Sequence, residues 1–166
     1  MGNMVLYEVS PDIGDEIRFD LMLISVCLLL MIGMAIAGKR GYKKAKIGIA
    51  IGAFGLAIQL AGLLLMMRTL SDMYRGIIVP YERGDYQIVE GYVEDFHPMP
   101  QQGHDQESFT VEGVKFSYSD FVLQYGYHNA RSRGGVITGN GQHLRIGYTR
   151  YSYLGNVIVY IEELIP

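Results

Sequence analysis

Two long segments without any charged residue constrain this chain more than any other feature. The first is Leu21–Ala37, seventeen residues that read LMLISVCLLLMIGMAIA, and the second is Ile47–Met67, twenty-one residues with Gln59 as the only strongly polar member. A helix of about 17 to 25 apolar residues, rising about 1.5 Å per residue, spans the hydrocarbon of a bilayer. The rest of the chain is too short to enclose two such helices in a soluble shell. The two segments therefore predict a transmembrane helical hairpin over residues 19–67.

Charge is distributed unevenly around these segments. Residues 1–20 hold five acids against one base, and residues 80–166 hold eleven acids against six bases. The connection 38–46, GKRGYKKAK, holds five cations and no acid. Lys and Arg concentrate in short loops on the cytoplasmic side, where anionic lipid headgroups also attract them. We therefore expect loop 38–46 in the cytoplasm, and both the N-terminal tail 1–18 and the C-terminal domain outside it, at a bacterial inner (plasma) membrane.

Small residues recur along the second apolar segment at a spacing of about four. Such a stripe allows another helix to approach closely, and a glutamine can add a hydrogen bond across the contact. Two partners remain open: the first apolar segment, through Gly33 and Ala37, or a second copy of the chain in a homo-oligomer. Packing within one hairpin is the simpler interpretation. The predicted packing residues are Gly48, Gly52, Ala53, Ala57, Gln59 and Ala61.

The pattern changes to alternation of apolar and polar residues after Pro80, which is typical of strands with one buried face. The sequence Glu112-Gly113 between two such runs suits a tight hairpin turn. A small sheet avoids open edges best by closing on itself. Five strands are predicted, at residues 86–96, 108–111, 114–118, 143–149 and 156–162.

The predicted fold class is therefore a membrane α-helical hairpin plus an all-β domain. Two transmembrane helices are followed by a small five-stranded OB-like or SH3-like barrel over residues 85–166. Residues 68–84 form either a linker or an extension of the second helix, with Pro80 as a natural stop.

Two long connections interrupt the predicted strands, residues 97–106 and residues 120–141. Long loops on a compact domain frequently carry binding residues. Aromatic and arginine side chains are enriched at protein interfaces. The candidate interaction residues are Tyr125, Tyr127, Asn129, Arg131 and Arg133, all in the second connection.

Catalytic motifs of the GxSxG, HExxH, CxxC or phosphate-binding glycine type do not occur in the sequence. We therefore expect no enzymatic activity, no catalytic residue and no cofactor. The alternative is a metal-dependent envelope hydrolase that uses His97, His104 and Asp105 as ligands. Nucleic-acid binding is not expected, because phosphate recognition needs a cationic surface and residues 80–166 are acidic.

The stretch VEGYVEDFHPMPQQGHDQESFTVEGVKFSYSDF, followed by LRIGY and NVIVYIE, resembles a family of small, largely uncharacterised bacterial proteins. The resemblance covers residues 86–162 and depends mainly on the FxVxGVxFxYSD pattern at Phe109–Asp120. The layout of a short membrane anchor before a barrel also resembles the NfeD-type membrane proteins, which implies an OB-like soluble part.

These observations together predict a non-enzymatic envelope protein that is anchored in membrane lipid and presents its β-domain to another protein. A more specific alternative is an immunity protein that neutralises a toxin at the inner membrane or in the periplasm. A basic toxin would suit the acidic outer domain, and such binding would weaken with salt.

Overall fold

The computed structural model describes residues 2–11, 14–100, 105–122 and 124–165. The chain forms two compact units. One unit comprises residues 12–70, and the other combines residues 1–11 with residues 71–166. The N-terminal segment therefore folds with the C-terminal domain, although the whole first unit separates them in sequence.

The first unit is helical. Helix α1 covers Gly14–Lys39 and helix α2 begins in this unit and covers Ala45–Met73. Their apolar side chains are largely uncovered, since Leu29 is 67% exposed and Phe54 is 71% exposed. Apolar surface on all sides of a helix is unfavourable in water and favourable in lipid. Both helices are long and apolar enough to cross a membrane, as the sequence predicts.

The chain stays helical beyond the second apolar segment. A π-helical turn at Tyr74–Ile78 follows α2, and helix α3 covers Val79–Arg83. Pro80 lacks an N–H group, so the turn that precedes it cannot form the regular hydrogen bond, and the π-helical turn lies at this point. Gly84 ends the helix with φ of 76°, a left-handed conformation that suits glycine.

The second unit is built on one open antiparallel sheet with strand order β1-β6-β5-β2-β3-β4. Strands β1 and β4 are its edges. Ile77 and Ile78 of the π-helical turn are buried, and this turn contacts β5 and β6. The strands are β1 (Asn3–Glu8), β2 (Gln87–His97), β3 (Glu107–Val111), β4 (Val114–Tyr118), β5 (His143–Tyr151) and β6 (Gly155–Leu164).

The prediction of five strands is wrong, because the sheet has six. The additional strand is β1, which lies in the segment predicted as a tail and pairs antiparallel with β6 from Asn3 opposite Leu164 to Glu8 opposite Tyr160. Its six residues have no neighbouring turn or hairpin partner in sequence. Only the long-range pairing with β6 makes this segment a strand, and local periodicity contains no information on such a partner.

Strand β2 connects the two halves of the sheet. Its first part, Gln87–Tyr92, pairs with β5, and its second part, from Val93 onward, pairs with β3. Gly91 lies just before the change of partner, where a Cβ atom would be 2.7 Å from Glu112 Cγ. The glycine therefore allows the Glu112 side chain to approach β2 closely.

The core lies on the inner face of the sheet. Phe109, Phe116, Leu144 and Ile146 belong to it, and all are at most 1% exposed. The connection between β4 and β5 covers this face and contributes Tyr127 and Ile137 to the same cluster.

Candidate functional site

Two of the predicted interaction residues lie inside the domain. Tyr127 is 2% exposed and its hydroxyl oxygen accepts a hydrogen bond from the backbone N–H of Val136 at 2.6 Å. Tyr125 is buried and packs edge-on against Tyr74, with ring centroids 6.1 Å apart. Desolvation raises the pKa of both hydroxyls. These tyrosines hold the connection against the domain, so their side chains are not available to a partner.

The other three predicted interaction residues, Asn129, Arg131 and Arg133, are exposed. Both arginines also have contacts within the domain. Arg133 Nε lies 2.7 Å from Asp120 Oδ2, and its guanidinium carbon lies 4.8 Å from the centre of the Phe121 ring. Arg131 extends over the ring of Phe96 at 5.9 Å. The described part of this connection therefore offers cationic groups that are already held by neighbouring side chains.

A buried carboxylate fixes this connection to the sheet. Glu107 on β3 is 0% exposed. Its oxygens accept hydrogen bonds from the Tyr118 hydroxyl at 2.7 Å, from the Arg131 backbone N–H at 3.0 and 3.1 Å, and from the Met99 backbone N–H at 3.3 Å. Desolvation, followed by the charge of Glu107, raises the pKa of Tyr118. One side chain of β3 therefore binds residues of both long connections and the end of β4.

The role of Glu107 was not predicted, although the sequence contains a signal for it. The residues of β3 alternate in burial, and Glu107 lies in phase with the core residues Phe109 and Val111. A charged residue whose position in the alternation matches the apolar, inward-facing residues has two explanations. It either marks the end of the strand or is buried with several hydrogen-bond partners. The donors come from residues 8 to 24 positions away, so the sequence alone does not distinguish the two cases.

The candidate metal ligands are only partly described. His97 Nε2 and Asp105 Oδ2 lie 3.3 Å apart, and both side chains are more than 60% exposed. The backbone N–H of Gln106 and then the imidazole of His97 lower the pKa of Asp105. His104 lies outside the described residues. Within the described residues, no group of three or more potential ligands comes together.

The predicted packing residues of the second helix fall into two sets. Gly48 contacts Met34 of α1, and a Cβ atom on Gly52 would lie 2.5 Å from Met31 Cγ. These two glycines thus allow α1 and α2 to pack closely, and Gln59 is half-buried on the same helix. The remaining residues, Ala53, Ala57 and Ala61, are exposed.

The outer face of the sheet carries a row of charged side chains. The sequence alone did not predict that these residues are neighbours. Strand pairing aligns Glu90, Arg145 and Glu162 on β2, β5 and β6. Arg145 Nε donates to Glu90 Oε2 at 2.9 Å, and Nη2 lies 2.8 Å from the same oxygen. Arg145 Nη1 donates to Glu162 Oε2 at 2.9 Å. Glu90, followed by Glu162, raises the pKa of the guanidinium.

An aromatic pair lies beside this row. Tyr92 on β2 is paired with His143 on β5, and their rings stack with centroids 4.5 Å apart and an angle of 19° between planes. The Tyr92 side chain is 57% exposed. At the other end of the face, Tyr86 packs over Gly147, where a Cβ atom would lie 2.9 Å from the ring. One end of the outer face is therefore covered by a tyrosine and the other is open.

The open end forms a concave surface of about 390 Å³, which we call the outer groove. It crosses four strands. Its lining combines the stacked aromatic pair, the charge row and the apolar side chains of Leu164 and Ile165. Its lining residues are Asn3, Glu90, Tyr92, His143, Arg145, Leu164 and Ile165. The sequence contains the alternation that places these side chains on one face, but the pairing between strands decides which of them meet.

No known protein family, curated protein or solved structure matches this chain. The family resemblance based on residues 109–120 and the resemblance in layout to NfeD-type proteins therefore remain predictions.

Proposed function

We propose that this chain is a non-enzymatic, membrane-anchored envelope protein whose β-domain contacts another protein outside the cytoplasm. The observation that carries the proposal is the pairing of β1 with β6. Strand β1 precedes the first apolar helix and β6 follows the second. If both helices cross a bilayer, strands that share one sheet must emerge on the same side of it.

The charges around the hairpin support one orientation. The connection 38–46 holds five cations, whereas the unit that contains the sheet holds thirteen acids against seven bases. Because cationic loops are generally retained in the cytoplasm, we infer that the sheet lies on the opposite side of the membrane. In a Gram-negative bacterium this compartment is the periplasm.

We include a barrel-like curvature of the domain in the proposal. The Asn156 side-chain amide on β6 donates to the Lys115 carbonyl on the edge strand β4 at 2.9 Å. This contact joins two strands that are not neighbours in the sheet order. It supports an OB-like or SH3-like wrap, in which the second edge is partly protected from other chains.

Labelling of single cysteines tests the proposed topology. In a Cys27→Ala background, one variant carries Tyr153→Cys, at a side chain that is 90% exposed, and the other carries Lys43→Cys in the cationic connection. A membrane-impermeant maleimide should label the Tyr153→Cys variant in intact bacterial cells. It should label the Lys43→Cys variant only after permeabilisation. Labelling of Lys43→Cys alone in intact cells would reverse the orientation, and equal labelling of both would contradict a membrane hairpin.

The second candidate function is that of an immunity protein, which the acidity of the sheet-bearing unit favours. Thirteen carboxylates against seven cations would attract a toxin with a basic surface. The discriminating measurement is binding to the product of a neighbouring gene at low and high salt. A basic partner whose toxicity is blocked by this chain, with binding that weakens in salt, supports the immunity function. A salt-independent envelope partner supports the general function alone.

A further inference from the structure

We propose that the outer groove binds a basic, extended segment of a partner protein, with one lysine or arginine side chain placed between Tyr92 and Glu90. The proposal rests on the function proposed above and names the surface and the chemistry of the partner. Four features of the groove carry it: exposed apolar side chains, an available carboxylate oxygen, the stacked aromatic pair and the length of the groove.

Exposed apolar side chains gather on this face of the domain. Val5, Ile88, Tyr92 and Ile165 are exposed large hydrophobic residues of the sheet-bearing unit, and they come from or directly follow strands β1, β2 and β6. Of these residues, Tyr92 and Ile165 line the outer groove, and exposed apolar side chains grouped on one face of a folded domain are typical of an interaction site. The charge row of Glu90, Arg145 and Glu162 lies on the same face and determines which charged groups of a partner can bind there.

The charge row can accept one more cation. Arg145 donates hydrogen bonds to Oε2 of both Glu90 and Glu162. Two negatively charged carboxylates therefore share one positively charged guanidinium. In the part of the chain that the structure describes, Glu90 Oε1 accepts no hydrogen bond. A partner ammonium or guanidinium would form a charge-assisted hydrogen bond with this oxygen. An acidic group at the same place would be repelled by both carboxylates.

The stacked pair of Tyr92 and His143 also favours a cationic ligand. One face of the Tyr92 ring stacks on His143, and the side chain is nevertheless 57% exposed. A cation over the open face of a tyrosine is stabilised by the ring, and the apolar stem of lysine or arginine can lie against Leu164 and Ile165. Purely apolar ligands would cover the charge row without compensating its net charge.

The groove extends from Tyr92 on β2 to Asn3 on β1, which corresponds to three steps between adjacent strands. At about 4.8 Å per step, this distance is about 14 Å, the length of about four extended residues. A short extended peptide therefore matches the length of the site, which is larger than a small ion needs.

Fluorescence anisotropy of the full-length protein in phosphatidylcholine nanodiscs tests the proposal. The probe is a fluorescein-labelled hexapeptide of alternating lysine and alanine, and empty nanodiscs provide the background. We expect Glu90→Gln to weaken binding about fivefold, which corresponds to one partly exposed charge pair. Tyr92→Ala should weaken it about three- to fivefold, whereas Tyr92→Phe should retain it.

The matched control is Glu94→Gln, which removes the same charge from an exposed position on the same strand but outside the groove. It should leave the affinity unchanged. Equal losses in Glu90→Gln and Glu94→Gln would show general charge attraction and overturn the proposal. Equal binding of a glutamate–alanine hexapeptide, or absence of binding at about 1 mM lysine peptide, would also overturn it, since that Kd corresponds to only about 4 kcal/mol. Cysteine labelling does not depend on this result, so a failure here is distinguishable from a wrong topology.

Discussion

The two faces of the sheet use carboxylates in opposite ways. On the inner side, Glu107 is completely buried and is satisfied by neutral donors, the Tyr118 hydroxyl and two backbone N–H groups. On the outer side, Glu90 is partly exposed and pairs with Arg145, with one oxygen still available. Burial makes the first carboxylate a structural element, because its donors cannot find water if it is removed. Exposure leaves the second free to exchange water for a partner.

The difference also separates stability from binding. Losing a buried acceptor costs free energy because several donors remain unsatisfied, whereas losing an exposed ion pair costs little, since water replaces it. The inner face should therefore determine the stability of the domain, and the outer face its affinity for a partner. Variants on the two faces can test this separation directly.

Replacement of Glu107 should have the largest effect. Glu107→Ala leaves the Tyr118 hydroxyl and the Met99 and Arg131 N–H groups without their acceptor. We expect the free energy of unfolding to fall by about 3 kcal/mol. Chemical denaturation of the detergent-solubilised protein, followed by circular dichroism, measures this loss.

The control for this variant is Glu94→Ala, which removes an exposed carboxylate from the adjacent strand. Its effect should stay within about 0.5 kcal/mol. Similar losses in both variants would contradict a special role of the buried carboxylate.

Alkaline pH should have an intermediate effect through inner-face tyrosines. Burial, followed by the nearby Tyr127, raises the pKa of Tyr7 to about 12. Between about pH 10 and this value, the unfolded chain loses the Tyr7 proton while the folded chain keeps it, so stability falls as pH rises. Tyr7→Phe should make this fall shallower in denaturation curves recorded at several pH values. An unchanged slope in Tyr7→Phe would refute the assignment of this pH dependence to Tyr7.

Removal of the outer-face cation should have the smallest effect on stability. In Arg145→Gln, Glu90 and Glu162 lose their shared partner, but water can hydrate the exposed Glu90. Because the Glu162 side chain is only 12% exposed and loses its guanidinium partner, the thermal midpoint in a circular dichroism melt should fall, but by less than for Glu107→Ala. A loss as large as that of Glu107→Ala would show that the charge row belongs to the structural core and would remove the distinction between the two faces.

Local patterns predicted much of the fold. Both uncharged segments lie within helices, although the helices extend beyond them at both ends, and the five segments with alternating residues correspond to β2–β6. These elements are predictable because length, hydropathy and alternation are properties of neighbouring residues. Strand β1 was not predicted, because its partner β6 lies about 150 positions further along the chain.

The candidate sites were less predictable for the same reason. The sequence predicted tyrosines and arginines of the connection 120–141 as interaction residues. It did not distinguish the core residue Tyr127 from the exposed Arg131. It also contained Glu90, Arg145 and Glu162 in three separate strands without indicating that they meet. Register between strands, which local periodicity does not specify, brings these three side chains into contact.

By itself, the sequence determined two apolar helices, a cationic connection between them and a strand-rich C-terminal half, since each depends on composition within one short segment. Only the tertiary structure decided that the N-terminus joins the sheet, that Glu107 is buried and that Tyr92, His143 and Arg145 line one groove. The physical reason is that these three outcomes depend on contacts between residues that are distant in sequence. Their stabilisation comes from burial and pairing, which exist only after the chain has folded.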